Sequence, residues 1–558
     1  RAGSDAPLAT AVVDGDARRL FEVADALVAR LAAGWLRAPR ERIAQSAART
    51  TRSLPALRAF LEGEAHFRVG AFARAAEAYR RAVAEDSALA LGWYRLGQAG
   101  TWLNVPDDST NALFERALRH PERLSMHDRQ LVEAFLAWRR GDFDRAEQLY
   151  RRLVGLEPAD VEAWFQLGEV LFHGNPVRGR TLREARQPLE RVLATDARDR
   201  EALVHLARIS ALEGRYAELD SLTARILALS PGGDEALDVR AIQAFASGDA
   251  AARQAVLAEL ARASDDVLGT AMWRVPVFTR DLEAAERLAR LGTASWRDSA
   301  RIRRHATAYL SDLALARGRL RAAAVERRRL AALLPESALP LHARQAAVRF
   351  LPYPRSELLA VRDSLARRLT ELDRRSGGDV GTSPVAVSLL YHIGITSARL
   401  GDSTTAERAA AEIERRPAAT PAEERLRRGY VNSLRGLAAW ERGDLAAAAA
   451  SLHVLDASRR SGTGWPYERF VVAEVLRQTG HPDEALGWYE SLGETDVNEM
   501  PFLAMAHRGR GLIHEARGEV GQARAHYARV IELWKACDPE LRPLVRDIER
   551  RLARLRAR

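Results

Sequence analysis

A spacing constrains this chain more than any other feature. A glycine, a bulky residue two places on and an alanine three beyond that recur along its 558 residues. The clearest copy is Gly141, Phe143, Ala146, Tyr150, Leu153 and Pro158, followed by Trp164, Leu167 and Gly168. Each position has its own physical reason. Glycine and alanine let two antiparallel helices approach closely, the aromatic fills the gap to the next pair, and proline stops the second helix. Such a helix pair cannot bury its apolar face alone, so successive copies must stack. A stack also frees a long chain from the size limit of a single core, because each unit packs only on its neighbours.

Further copies follow the same phase. Gly63, Gly70, Phe72, Ala75, Tyr79 and Ala82 mark a unit at 56–89, and Trp93, Leu96 and Gly97 open a second that closes with Phe114, Ala117 and Pro121. Units at 127–160, 161–199 and 200–233 come next, the last carrying Leu203, Leu206, Gly214, Tyr216, Ile226 and Pro231. The signal then fades over 234–299, where Gly248, Leu282 and Ala285 hold the phase, and returns at 304–337 with Gly318, Leu320, Ala323, Leu330 and Pro335. Four more units carry a small residue seven before the turn glycine: Gly394 and Gly401, Gly436 and Gly443, Ala473 and Gly480, Gly511 and Gly518. This pattern resembles the tetratricopeptide repeat (TPR), whose period is about 34 residues. The resemblance implies an all-α, right-handed α-solenoid of TPR helix pairs. Helix turns are expected at Gly70, Gly141, Gly214, Gly318, Gly443, Gly480 and Gly518.

The expected organisation has five parts: 1–55, the tail of a truncated upstream domain with a linker helix; 56–337, an N-terminal TPR array; 338–386, an irregular hinge with one helix; 387–537, a C-terminal array; and 538–558, a capping helix. In the hinge, Pro340, Pro352 and Pro354 break helices, Gly377, Gly378, Gly381 and Pro384 form a loop, and Ser356 caps a helix running to Arg375. The Arg-rich end from Pro539 to Arg558 fits the polar helix that closes a solenoid.

Composition narrows function mainly by exclusion. Ala, Leu, Arg and Glu favour helix, and no run of β-branched alternation stands out. The single Cys537 excludes intrachain disulfides and multi-cysteine zinc sites. No apolar run reaches the roughly 18 residues needed to span a bilayer, and no signal peptide is visible. The formal charge is +10, carried by arginines apart from Lys535. A basic chain points towards anionic partners. These arginines nevertheless alternate with Glu and Asp as solvated helix faces do, and no basic face interleaves with aromatics; the tail 542–558 is the best nucleic-acid candidate.

The front end departs from the repeat. Ala9 to Val13 reads as a short strand, and Ala17 to Leu36 as an amphipathic helix, together a short remnant of a truncated α/β domain. The strings Arg19-Leu20-Phe21 with Asp25, Thr50-Thr51-Arg52-Ser53-Leu54-Pro55-Ala56-Leu57 and Leu61-Glu62-Gly63-Glu64 resemble a junction. It is the point where a TolB-like domain passes into TPRs in bacterial signalling proteins, notably membrane-linked serine/threonine kinases. Trp164 to Glu169 and His173-Gly174 resemble the same class. The resemblance implies a kinase or other output domain upstream of this chain, and a location at either face of a bacterial membrane.

No catalytic constellation emerges. Gly174 to Thr181 matches the spacing of a phosphate-binding Walker loop, but Arg180 replaces the lysine and no strand precedes it. The default is an enlarged inter-helix loop, with a weak anion site from Arg178 and Arg180 as a physical alternative. Gly141-Asp142-Phe143-Asp144 is a helix turn rather than a kinase metal loop, and the histidines show no His-Glu-x-x-His pair. No catalytic residue, cofactor or metal is expected. TPR family members bind extended peptides along helix A faces. The matching positions are Phe60, Glu64, Tyr94, Gln98, Trp102, Leu131, Phe135, Trp138, Arg139, Phe165, Glu169 and Phe172. Aromatics and Arg suit an interface; packing between neighbouring helices is the competing role for the same residues. The resulting reading is a non-enzymatic scaffold that takes a protein or peptide partner. Its rivals are an Arg-driven nucleic-acid-binding regulator and an enzyme with a cryptic site.

Overall fold

The computed structural model describes residues 12–13, 23–24, 27–28, 42–230, 232, 234–294, 299–375, 383–418, 420–453 and 466–556. Among them every regular element is helical. The strand expected at Ala9 to Val13 is absent at Val12 and Val13, the two of its residues that are described. The helix expected over Ala17 to Leu36 is described only at 23–24 and 27–28, which are helical. The glycines expected to form the loop before Pro384 lie outside the described residues.

Helix pairs follow one another along the chain. Leu54–Arg68 pairs with Phe72–Glu85, Ala90–Trp102 with Asp107–Leu118, and Met126–Arg139 with Phe143–Leu156. The last pair is Leu503–Ala516 with Val520–Leu533, covered by Arg542–Arg556, which buries Val545, Ile548, Leu552 and Leu555. All seven expected turn glycines have φ between 69° and 87°, a left-handed turn that admits a side chain only at a cost. The small helix A residue is needed for a different reason. A Cβ on Gly63 would lie 2.5 Å from the Tyr79 ring, and one on Gly511 would lie 2.5 Å from the Tyr527 ring. Ala75, Ala117 and Ala146 are fully buried, as close helix approach requires.

The stretch from 335 to 375 is more helical than its prolines indicate. Pro340 lies inside the helix Pro335–Ala347 instead of breaking it. The next helix spans Arg355–Arg375, so Ser356 is its second residue and not its cap. Pro352 and Pro354 do fall between the two helices.

The chain divides into two compact units, 1–171 with 185–199, and 172–184 with 200–558. Within the second, the late repeats fold back on the middle ones. The 3₁₀ segment Val497–Phe502 packs against the helices Asp265–Thr279 and Ala300–Ala316. Trp534 Nε1 donates to the Ala316 carbonyl at 3.1 Å, and the Asp538 N–H donates to the Gly318 carbonyl at 2.9 Å.

Candidate functional site

The helix A positions of the first unit converge on a buried ion network. Glu64 accepts from Arg95 Nε at 2.8 Å, from Arg95 Nη2 at 3.1 Å and from the Tyr79 hydroxyl at 2.6 Å. The remaining Arg95 nitrogen, Nη1, reaches Gln98 Oε1 at 2.6 Å and Glu162 at 3.2 Å. Gln98 Nε2 donates to the Tyr94 hydroxyl at 2.8 Å and to Glu162 at 3.0 Å. Burial works to lower the Arg95 pKa, but Glu162 and Glu64 outweigh it and hold the guanidinium well above its ordinary range. Burial, then Glu64 and Glu162 respectively, push the Tyr79 and Tyr94 hydroxyls up. Charge in this network is shared among fixed partners.

Of the expected groove residues, the structure therefore brings Glu64, Tyr94 and Gln98 into one cluster. Phe60 is buried against Tyr79, ring centroids 5.5 Å apart. Leu131 is fully buried, and Phe135 lies between Tyr94, Phe114 and Trp138. Trp138 and Arg139 are 5% and 8% exposed, and Arg139 pairs with Asp107. Glu169 is buried and Phe165 half-buried. Trp102 stands apart at 37% exposed, stacked on Phe72 with centroids 5.0 Å apart and planes 4° from parallel. Phe172 belongs to the second unit, where its ring meets His205 and Phe278.

Sequence reasoning missed Arg95, Glu162 and Tyr79. A usable signal exists: a small residue followed by Glu, with Tyr fifteen places after the Glu. It recurs as Gly63-Glu64 with Tyr79 and as Ala473-Glu474 with Tyr489. The pair spans the two helices of one repeat.

The Walker-like loop proves to be occupied by the protein itself. The Thr181 hydroxyl and the Leu182 N–H each donate to the Glu494 carboxylate at 2.9 Å. A Cβ on Gly179 would lie 2.6 Å from the Trp488 ring. Arg178, expected with Arg180 to hold an anion, donates to Asn175 at 2.6 Å, and Arg180 pairs with Glu184. Gly141 and Asp142 form a helix start, Asp142 accepting from the Arg145 N–H at 3.0 Å.

One grouping within the first unit resembles a metal site. His127, Glu157 and Asp160 lie together, but Arg42 Nε stands 3.2 Å from Asp160 and already supplies the cation. His507 and His526 bring their Nδ1 atoms to 3.0 Å. Burial, then Arg510, depresses both rings, to about 2 and about 3, and that same guanidinium opposes a metal ion. Elsewhere in the second unit, Arg349, Trp440, Gly443, Leu445, Glu474 and Gln478 line a pocket of about 390 Å³. The Arg349 guanidinium lies 5.4 Å from the Trp440 ring centroid.

Comparison with known proteins identifies the repeat. The family described as "Tetratricopeptide repeat" matches residues 131–175 and 473–539, and the chain carries tetratricopeptide repeats there. No curated protein sequence matches the chain. Similar solved structures include a chain of "Crystal structure of APC/C hetero-tetramer Cut9-Hcn1", at 11% identity and a TM-score of 0.25, covering 88% of this chain and 96% of that one. Another is a chain of "Structure of Naa15/Naa10 bound to HypK-THB", at 16% identity and a TM-score of 0.23, covering 90% of this chain and 75% of that one. Among the described residues no helix is long and apolar enough to cross a membrane.

Proposed function

We propose that this chain is a non-enzymatic protein-interaction scaffold that takes a peptide or partner protein on the helix A residues of its first unit. The observation that carries this reading is Trp102, more than a third exposed yet fixed by its parallel stack on Phe72. A rigid, half-open tryptophan loses little freedom on binding and is the residue type that most often dominates an interface. Half-buried Phe165 is a second aromatic of the same set, and the Arg95 guanidinium lies 5.1 Å from the ring of Phe67, which packs edge-on against Phe72. Trp138 and Arg139 belong to the packed layer and act through the shape of that surface. The resemblance of residues 50–57, 61–64 and 164–169 to kinase-linked repeat regions further supports a role as the arm of a bacterial signalling protein.

The test is partner capture from lysate by the intact chain and by Trp102→Ala with Phe165→Ala. Capture is expected to be lost while the helical circular dichroism signal persists. Capture that survives this change but disappears on Arg349→Ala would move the site to the 390 Å³ pocket of the second unit. Nuclease-sensitive capture that falls steeply with salt would favour the nucleic-acid rival instead.

A further inference from the structure

Three arginines of the second unit gather around two glutamates at 3.3 to 4.0 Å. Arg183 follows the Walker-like loop, Arg280 ends the helix Asp265–Thr279, and Arg510 lies on Leu503–Ala516. Arg183 Nη1 stands 3.3 Å and Arg510 Nη2 3.6 Å from the same oxygen, Oε1 of Glu490. Arg183 Nη2 and Arg280 Nη2 stand 4.0 Å and 3.7 Å from Glu494 Oε1. From this convergence we propose that Arg183, Arg280 and Arg510 form a binding site for an oxyanion of the phosphate class.

The donor count supports an absent acceptor. Each guanidinium offers five N–H groups. Arg183 makes one hydrogen bond, to Glu490 at 3.3 Å, and Arg280 makes one, to the Leu492 carbonyl at 3.5 Å. The Nε atoms of Arg183 and Arg280 are buried with no hydrogen-bond partner. Arg469 has the same unpartnered Nε inside a close ion pair with Glu499, so it is the convergence of three guanidinia on two carboxylates that calls for a further anion. Glu494 does not fill the role, because Thr181 and Leu182 hold its carboxylate. Burial, with the other arginines of the trio, holds Arg280 below its ordinary range; burial and Arg183 do the same for Arg510. Three positive groups against two negative ones leave a charge that a monoanion would neutralise.

The backbone and the exposure point the same way. Arg280 has φ 52°, one of only two non-glycine residues with positive φ among those described, and its N–H closes the helix on the Pro276 carbonyl at 2.9 Å. Packing must hold a side-chain residue in that conformation, and such positions gather at ligand sites. The side chains of Arg183, Arg280 and Arg510 are 27%, 21% and 18% exposed, so a small solute reaches them. They arrive from three separate elements, which suits a tetrahedral acceptor better than a flat carboxylate.

Titration calorimetry of the intact chain with inorganic phosphate at fixed ionic strength tests the site. Saturable binding is expected, weakened about tenfold or more by Arg510→Gln, since each charge-assisted hydrogen bond is worth about a factor of ten. Glu490→Gln removes a competing anion and is expected to tighten binding, an effect that loss of structure would not produce. Phosphoserine binding as tightly as phosphate would assign the site to a phosphoryl group on a partner; phosphate alone would assign it to the free ion. The proposal fails if phosphate does not saturate, if acetate acts equally, if Arg510→Gln leaves affinity unchanged, or if Glu490→Gln weakens it.

Discussion

In the first unit one guanidinium, Arg95, meets two carboxylates and a glutamine at 2.6 to 3.2 Å, and its neighbours Tyr79 and Tyr94 complete the carboxylates. In the second unit three guanidinia face two carboxylates at 3.3 to 4.0 Å, with Nε donors left over. Both clusters are largely buried and both arise where helices of different repeats converge. The residue types are the same; what differs is how far their hydrogen-bonding capacity is used. A cluster whose donors and acceptors are all engaged is part of the framework, and removing one member strands the others. A cluster with surplus donors and excess positive charge has capacity for one more acceptor.

Arg95→Ala is the harshest test of that contrast. It leaves Glu64 and Glu162 buried around an empty position, and breaking a buried pair from one side costs about 3–5 kcal/mol. Urea denaturation followed by circular dichroism should show a clear loss of stability in the first unit. In phosphate-free buffer, Arg510→Ala should cost far less, because it relieves repulsion among like charges. Equal losses from the two substitutions would erase the distinction between the clusters.

Ala146→Trp probes the same unit without touching an ion. Ala146 is fully buried where Phe143–Leu156 meets its partner helix, and overpacking there should cost about 1–3 kcal/mol. A neutral result would mean that the close helix approach assigned to this alanine is wrong, and the framework argument for the first unit would weaken with it.

The repeat was legible because its signals are local and steric. Gly141, Ala146 and Tyr150 each report a contact within one helix pair, so their spacing survives as a periodic pattern. Pro340 misled because a proline read alone signals a break, whereas here the helix starts at Pro335 and packing carries it past position 340. The ion clusters were less legible for a different reason. Arg95 meets Glu162 across 67 residues and Arg183 meets Glu490 across 307, and no spacing rule reaches that far in a chain rich in Arg and Glu. The Glu64–Tyr79 part joins the two helices of one repeat, and it left a signature that recurs at Glu474 and Tyr489. The Walker-like string was legible as a decoy because its missing lysine and missing strand were visible, but the carboxylate that fills it, Glu494, lies more than 300 residues on.

The finest version of the contrast uses one substitution at equivalent positions in two repeats. Tyr79 and Tyr150 both follow the small alanine by four residues, and both are fully buried. The Tyr79 hydroxyl donates to Glu64 at 2.6 Å, whereas the Tyr150 hydroxyl is buried with no hydrogen-bond partner. Tyr79→Phe removes a hydrogen bond to a charged acceptor and should cost about 1.5–3 kcal/mol. Tyr150→Phe removes a polar atom that has nothing to bond, so it should be neutral or stabilising by up to about 1 kcal/mol. Volume, burial and helix position are nearly the same in the two cases, so the difference between their denaturation midpoints isolates the use of the hydroxyl. If Tyr150→Phe proves as costly as Tyr79→Phe, its hydroxyl has a partner after all, and counting unspent donors would lose its value as a guide to either cluster.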